Sequence, residues 1–144
     1  MENVLLKLSG EALGGKKGFG IDPDEILKIA KEIKDAKDAS NKGIGIVVGG
    51  GNFFRGRDAE KIGIERVDCD YMGMMGTVMN AIGLKNALIT VGAKAKALTL
   101  LDVPSAIESY TIESANKYLE EGYIVIFGGG IGKPYFSTDT ASAT

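Results

Sequence analysis

The sequence contains no histidine. That removes imidazole general bases, His-dependent nucleophile triads and His-ligated zinc from the available chemistry. A single cysteine, Cys69, excludes an internal disulfide and points to a reducing, cytoplasmic setting. A basic excess is also missing. Lys and Arg total 17 against 19 Asp and Glu, the net charge is −2 and the pI is about 5.2. No positive field is present to hold a long nucleic acid, so no nucleic-acid partner is expected. An anion can still bind through local features, which net charge does not report. The amino terminus, "MENVLLKLSGEALGG", lacks a signal peptide's long apolar segment. The most apolar stretch, Tyr71 to Leu88, carries Asn80, Lys85 and Asn86, so it reads as a buried or subunit-contact helix rather than a membrane span.

What is present is an ordinary globular composition with one exception. The 144 residues, 44% hydrophobic and 25% charged, form one expected domain over 1–144. A chain of this length buries roughly 70% of its unfolded surface. The exception is 21 glycines against 3 prolines. Glycine at that level, without a collagen period, points to loops where backbone approaches something closely.

Strand and helix patterns alternate. Val4–Leu8 reads as a strand, followed by the loop "SGEALGGKKGFGI". A helix then starts at Asp22 as N-cap, with Pro23 at its first position and Glu25 completing a capping box; it fades near Ala39–Lys42. Ile44–Val48 is a strand apolar enough for a sheet covered on both faces. Ala95–Leu100 is a weaker strand candidate. A helix from about Thr111 to Glu121 turns Ile112, Ala115 and Leu119 inward and stops at Gly122. Tyr123–Phe127 is the last clear strand. The fold class is α/β: a mostly parallel open sheet with helices on both faces. The final "STDTASAT" reads as a helix start capped by Ser137 or Thr138, so the chain is expected to be a truncated part of a longer fold.

Glycine-rich or polar loops follow three of these strands: "KLSGE", "GGGNFFRG" and "GGGIGKPYFSTD". In a parallel sheet all three emerge on the carboxyl edge, where open α/β folds bind ligands. Without side chains, backbone N–H groups can point at an anion. Lys7, Arg55 and Lys133 add cations there, and the combination fits a phosphate-rich ligand. Each residue also has a plainer reading. Lys7 can snorkel from its strand, Arg55 can form a surface ion pair, Asp70 and Asp139 can cap helices, and Met72, Met74, Met75 and Met79 can simply pack. Two motif matches fail. "GEALGGKK" lacks the Ser or Thr of a P-loop, and "GGGNFF" lacks the third glycine of a dinucleotide fingerprint.

The blocks "LLKLSGEAL", "GFGID", "VVGGGNFFRG", "DYMGMMGTVMN" and "GKPYFSTDT" closely resemble the bacterial UMP kinases (uridylate kinases) of the amino-acid-kinase family, in family order over the whole chain. The resemblance implies transfer of the ATP γ-phosphoryl group to UMP, giving UDP, in pyrimidine nucleotide synthesis, with Mg2+ accompanying ATP. It implies an ATP phosphate site at Lys7, Leu8, Ser9, Gly10, Gly51 and Arg55. The implied UMP site is Gly50, Asp70, Ile131, Gly132, Lys133, Pro134, Tyr135, Phe136, Ser137 and Thr138, with Asp70 on the ribose. Lys7, Arg55 and Asp139 are the implied catalytic groups. Gly15, Lys16, Lys17, Gly18, Phe19 and Gly20 match a region tied to nucleotide effectors (GTP or UTP) in some members. Family members usually read Thr and Asn where this chain has Ile131 and Lys133, positions that help read uracil. The family's second half, with most of the adenosine pocket, lies beyond this chain. The 144 residues are therefore expected to bind UMP weakly and turn over little. Homo-oligomers, hexamers in the family, are implied through the Tyr71–Leu88 helix. Other readings are a carbamate-, acetylglutamate- or glutamate-type kinase, or a non-catalytic nucleotide-binding or assembly module.

Overall fold

The computed structural model describes residues 2–130 and the backbone of residues 139–140. Six strands form one sheet in the order β4-β3-β5-β2-β1-β6, and every pairing is parallel. The strands are β1 (Asn3–Leu8), β2 (Gly43–Val48), β3 (Ala95–Thr99), β4 (Glu108–Ser109), β5 (Ile124–Gly128) and β6 (Asp139–Thr140). The helices are α1 (Pro23–Ser40), α2 (Gly56–Ile62), α3 (Arg66–Thr90) and α4 (Ile112–Glu120).

Alternation along the strands divides the core between two faces. Ile44, Ile46 and Val48 of β2 and Ile124 and Ile126 of β5 point to one side, where Ile26 and Ala30 of α1 and Val78, Ala81, Leu84 and Leu88 of α3 cover them. Leu5, Leu98, Val125 and Phe127 point to the other, under Ala115 and Leu119 of α4. The sheet is thus helix-covered on both faces, as its apolar strands require. No helix among the described residues is long and apolar enough to cross a membrane.

Local chemistry sets the boundaries. Asp22 Oδ1 accepts from the Asp24 and Glu25 N–H groups at 3.0 and 3.4 Å, and Pro23 opens α1. The reciprocal half of the expected capping box is absent among the described contacts. The Asp22 N–H donates instead to the Leu13 carbonyl at 2.8 Å, so Glu25 has no orphan donor to satisfy. α1 ends on Asn41 in the left-handed region. A capping box does start α4, between Thr111 and Ser114.

Other expectations need correction. The segment after β1 is two short 3-10 turns within Gly10–Lys17, meeting at a kink on Gly15 (φ 61°, ψ −144°), rather than an open loop; the Ser9 side chain caps the first of them. Ile112 is 45% exposed rather than inward, since it lies in the first turn of α4, ahead of the residues that reach the sheet. Asp139 and Thr140 pair with Val4 and Leu5 as strand β6 instead of opening a helix. The proposed caps Ser137 and Thr138 lie outside the described residues. The charged segment after the tri-glycine, left without an element by its sequence, folds as α2.

Candidate functional site

The ends of β1, β2 and β5 are neighbours in the sheet, so the turns that follow them leave one edge side by side. At the first turn Ser9 Oγ accepts from the Glu11 N–H at 3.3 Å and starts the 3-10 helix. At the second, the Gly49 N–H donates to the Leu8 carbonyl at 3.0 Å, extending the β1–β2 ladder by one rung. The Phe53 and Phe54 N–H groups then both reach the Gly50 carbonyl, which curls the chain and presents Arg55. At the third, the Gly129 N–H donates to Thr77 Oγ1 at 2.7 Å, and that hydroxyl donates to the Met74 carbonyl at 2.6 Å.

Two of the glycines seat the second turn by close approach. A Cβ on Gly10 would lie 2.6 Å from the Gly49 carbonyl oxygen, so the first and second turns touch through backbone. A Cβ on Gly50 would lie 2.9 Å from the Gly73 carbonyl oxygen and 3.1 Å from the Thr77 nitrogen. The second turn therefore rests on α3 next to the residue that holds the third.

Arg55 bridges the first two turns. Its Nε donates to the Gly51 carbonyl at 3.3 Å, and its Nη2 lies 3.3 Å from Glu11 Oε2. The side chains are 37% and 55% exposed. Such a pair contributes about 0.2–1 kcal/mol, little enough for a phosphate to take the guanidinium over. Lys7 pairs with Val47 near the carboxyl end of β1 and is exposed. By alternation its Cβ shares the face of Leu5, and the residue lines a cleft of about 280 Å3 with Glu25, Lys28 and Glu32 of α1.

Asp70, on α3, lines a cleft of about 460 Å3 with Phe54, Cys69, Gly73, Met74, Thr77 and Gly130. A second cleft of about 230 Å3 brings Arg55, Gly51 and Phe54 together with Lys17, Gly18 and Phe19. Gly15 to Gly20 form the end of the 3-10 helix and the turn after it, with Lys16, Lys17 and Phe19 exposed. The structure thus brings Leu8, Ser9, Gly10, Gly50, Gly51 and Arg55 together, with Asp70 beside the third turn. Ile131 to Thr138 lie outside the described residues. The Asp139 backbone sits beside Val4, four residues and ~13 Å short of the Leu8 end of β1.

The sequence reading missed four residues that hold this arrangement: Glu11, Asn52, Thr77 and Asn80. Asn52 and Asn80 are fully buried and bonded to each other. Asn80 carried a signal, as an amide inside an apolar helical run that must find a buried partner. Its sequence alone does not name that partner.

The match to known proteins settles the ancestry. Residues 3–144 match the amino acid kinase family. The chain belongs to that family. It is 49% identical over 142 residues to the uridylate kinase of Pediococcus pentosaceus, across 99% of this chain and 58% of that protein. The UMP kinase structures from Bacillus anthracis and Ureaplasma parvum superpose with TM-scores of 0.84, at 38% and 30% identity; each match covers 94% of this chain and 56% and 58% of theirs respectively. The chain thus spans a little under three fifths of the curated relative it matches. As an amino-acid-kinase fold, the site offers backbone donors, an arginine and a lysine. Among the described residues it has no group of three or more Cys, Asp or Glu that could hold a metal ion.

Proposed function

We propose that this chain supplies the acceptor site of a UMP kinase, which transfers the ATP γ-phosphoryl group to UMP. The carrying observation is the convergence of the β1, β2 and β5 turns on one rim, with Arg55 between two of them and the Asp70 cleft alongside. The names of the relatives support the choice of UMP.

Phosphoryl transfer asks a protein mainly for alignment and positive potential around the transferring oxygens. In this reading the Ser9–Gly10 and Gly50–Gly51 amides and the Arg55 guanidinium hold the UMP 5′-phosphate and the incoming γ-phosphoryl group. Leaving Glu11, Arg55 gains a dianion in place of a carboxylate. Lys7 adds charge at the same rim. Asp70 accepts from a ribose hydroxyl. No histidine is needed, because the phosphate dianion of UMP is itself the nucleophile. Mg2+ would arrive with ATP and neutralise its phosphates. The described residues offer it no ligand cluster, so no step here runs through it.

The reading extends to a cytoplasmic enzyme of nucleotide synthesis that self-associates. Val67, Tyr71, Met75 and Met79 recur every fourth residue on α3 and are 63%, 49%, 48% and 47% exposed, an apolar stripe suited to a second copy. Light scattering should report an oligomer that Met75→Glu dissociates; a monomeric mass for the unmodified chain contradicts it. Effector control by GTP or UTP at Gly15 to Gly20 belongs to the same proposal.

Calorimetry with UMP, acetylglutamate and carbamoyl phosphate, beside a UDP-formation assay, tests the function. UMP should bind in preference, with little UDP formed by the 144 residues alone. Preference for either other compound moves the substrate elsewhere in the family. Absent UMP binding rejects the reading.

A further inference from the structure

Behind the tri-glycine turn lie two asparagines with no part in the chemistry proposed above. Asn52 and Asn80 are each 0% exposed. A buried amide costs free energy unless its donors and acceptor find partners. Here the two side chains bond reciprocally: Asn52 Nδ2 donates to Asn80 Oδ1 at 3.0 Å, and Asn80 Nδ2 donates to Asn52 Oδ1 at 2.7 Å. Each amide also reaches backbone. Asn80 Nδ2 donates to the Gly49 carbonyl at 2.7 Å, and Asn52 Nδ2 donates to the Gly20 carbonyl at 2.8 Å. The Gly20 N–H returns to the Asn52 carbonyl at 2.8 Å. A Cβ on Gly10 would also lie 2.7 Å from Asn52 Oδ1, so the first turn packs on the same amide.

We infer that the Asn52–Asn80 pair is a positioning device that sets the Gly49–Gly51 amides against α3 and the Gly18–Gly20 turn. The inference rests on reading those amides as a phosphate site. Apolar side chains could fill the space, but only directional bonds fix where Gly49 and Gly20 sit along the helix. Alignment at a phosphate is sensitive on the ångström scale. The pair also makes the Gly20 turn and the tri-glycine turn move as one body.

Three variants separate positioning from mere stability. Asn80→Leu leaves the Asn52 amide and the Gly49 carbonyl short of partners and should lower the melting temperature. Asn52→Leu/Asn80→Leu replaces both amides by apolar groups of similar size; it strands no side-chain amide but leaves the Gly49 and Gly20 carbonyls without their donors, so its melting temperature should fall about as far as that of Asn80→Leu. Asn80→Asp still accepts from Asn52 but sets a carboxylate against the Gly49 carbonyl. Burial beside that oxygen raises the carboxyl above its ordinary value of about 3.9. Because the folded value is the higher one, the native arrangement is present at low pH and lost as pH rises through it. Protonated, the acid donates to Gly49 again. The parent chain has no histidine to blur this window.

The readouts are the amide resonances of Gly20 and Gly49 to Gly51, and UMP affinity relative to the unmodified chain at each pH. The double-leucine variant should melt close to Asn80→Leu, with those resonances displaced and UMP bound at least ~10-fold more weakly than by the unmodified chain. Asn80→Asp should recover the native resonances and affinity towards about pH 5 and lose them by about pH 8. Native resonances and affinity in the double variant would overturn the inference, as would an Asn80→Asp protein indifferent to pH. If the double variant does not fold, the Asn80→Asp profile alone decides. If the unmodified chain fails to bind UMP, the functional reading falls, while the resonances and their pH dependence still decide this one.

Discussion

Replacing Gly10 with alanine places a methyl carbon 2.6 Å from the Gly49 carbonyl oxygen and 2.7 Å from Asn52 Oδ1. Carbon and oxygen normally approach no closer than about 3.3 Å, so the turns must part by several tenths of an ångström. Neither oxygen is free to yield, because Asn80 Nδ2 donates to both at 2.7 Å. Overpacking of this kind costs about 1–3 kcal/mol. At about 2–4 °C per kcal/mol for a chain of this size, the melting temperature should fall by roughly 2–12 °C. UMP affinity should fall with it, since the methyl separates two sets of amides assigned to one phosphate. Calorimetric melting and UMP titration measure the two effects on one sample. Gly56→Ala is the control: a Cβ there meets nothing within 4 Å, and its melting temperature should stay level or rise slightly. A Gly10→Ala protein matching the unmodified chain in both measurements would refute the packing of the two turns.

Other perturbations separate binding from folding. Arg55→Ala removes a half-exposed ion pair to Glu11 and a long 3.3 Å bond to the Gly51 carbonyl, so stability should change by about 1 kcal/mol while UMP binding weakens at least ~10-fold; equal losses in both would contradict the assigned role. Asp70→Asn should erase any preference for UMP over its 2′-deoxy analogue without changing the melting temperature, and a retained preference removes Asp70 from the ribose. Tyr118 donates to Glu108 at 2.6 Å, and that bond pushes its hydroxyl from 10.0 up to about 12. The folded value is the higher, so the associated stability is full below about pH 10 and is lost as pH rises through about 12. Tyr118→Phe should abolish that alkaline decline, and an unchanged decline would assign it to other groups.

Much of this architecture could be read directly from the residues, for reasons that differ by element. β2 and β5 are apolar runs that only a two-sided sheet can bury, and Asp22-Pro23 marks a helix start by local bonds alone. The edge shared by the three turns follows from parallel topology alone. What escaped the sequence depends on contacts far apart in the chain. Asn52 and Asn80 are 28 residues apart and meet only once α3 lies under the tri-glycine turn. Glu11 reaches Arg55 across two turns that nothing local brings together. The glycines of Gly10–Lys17 argue for loop, while one cap from Ser9 and packing of Gly10 and Leu13 hold the segment in two short 3-10 turns that break at Gly15. β4 and β6, with two residues each, carry no periodicity to detect.

The central claim is that bare amides from separate turns, with Arg55, jointly hold the phosphate of a nucleoside monophosphate. Titrating UMP into isotopically labelled protein, followed by amide resonances, tests it most directly. The account predicts that Gly10, Gly50, Gly51 and Gly130 shift together, saturating at one concentration, and that uridine without its phosphate leaves the first three in place. Shifts confined to the opposite edge of the sheet, or identical responses to uridine and UMP, would contradict it.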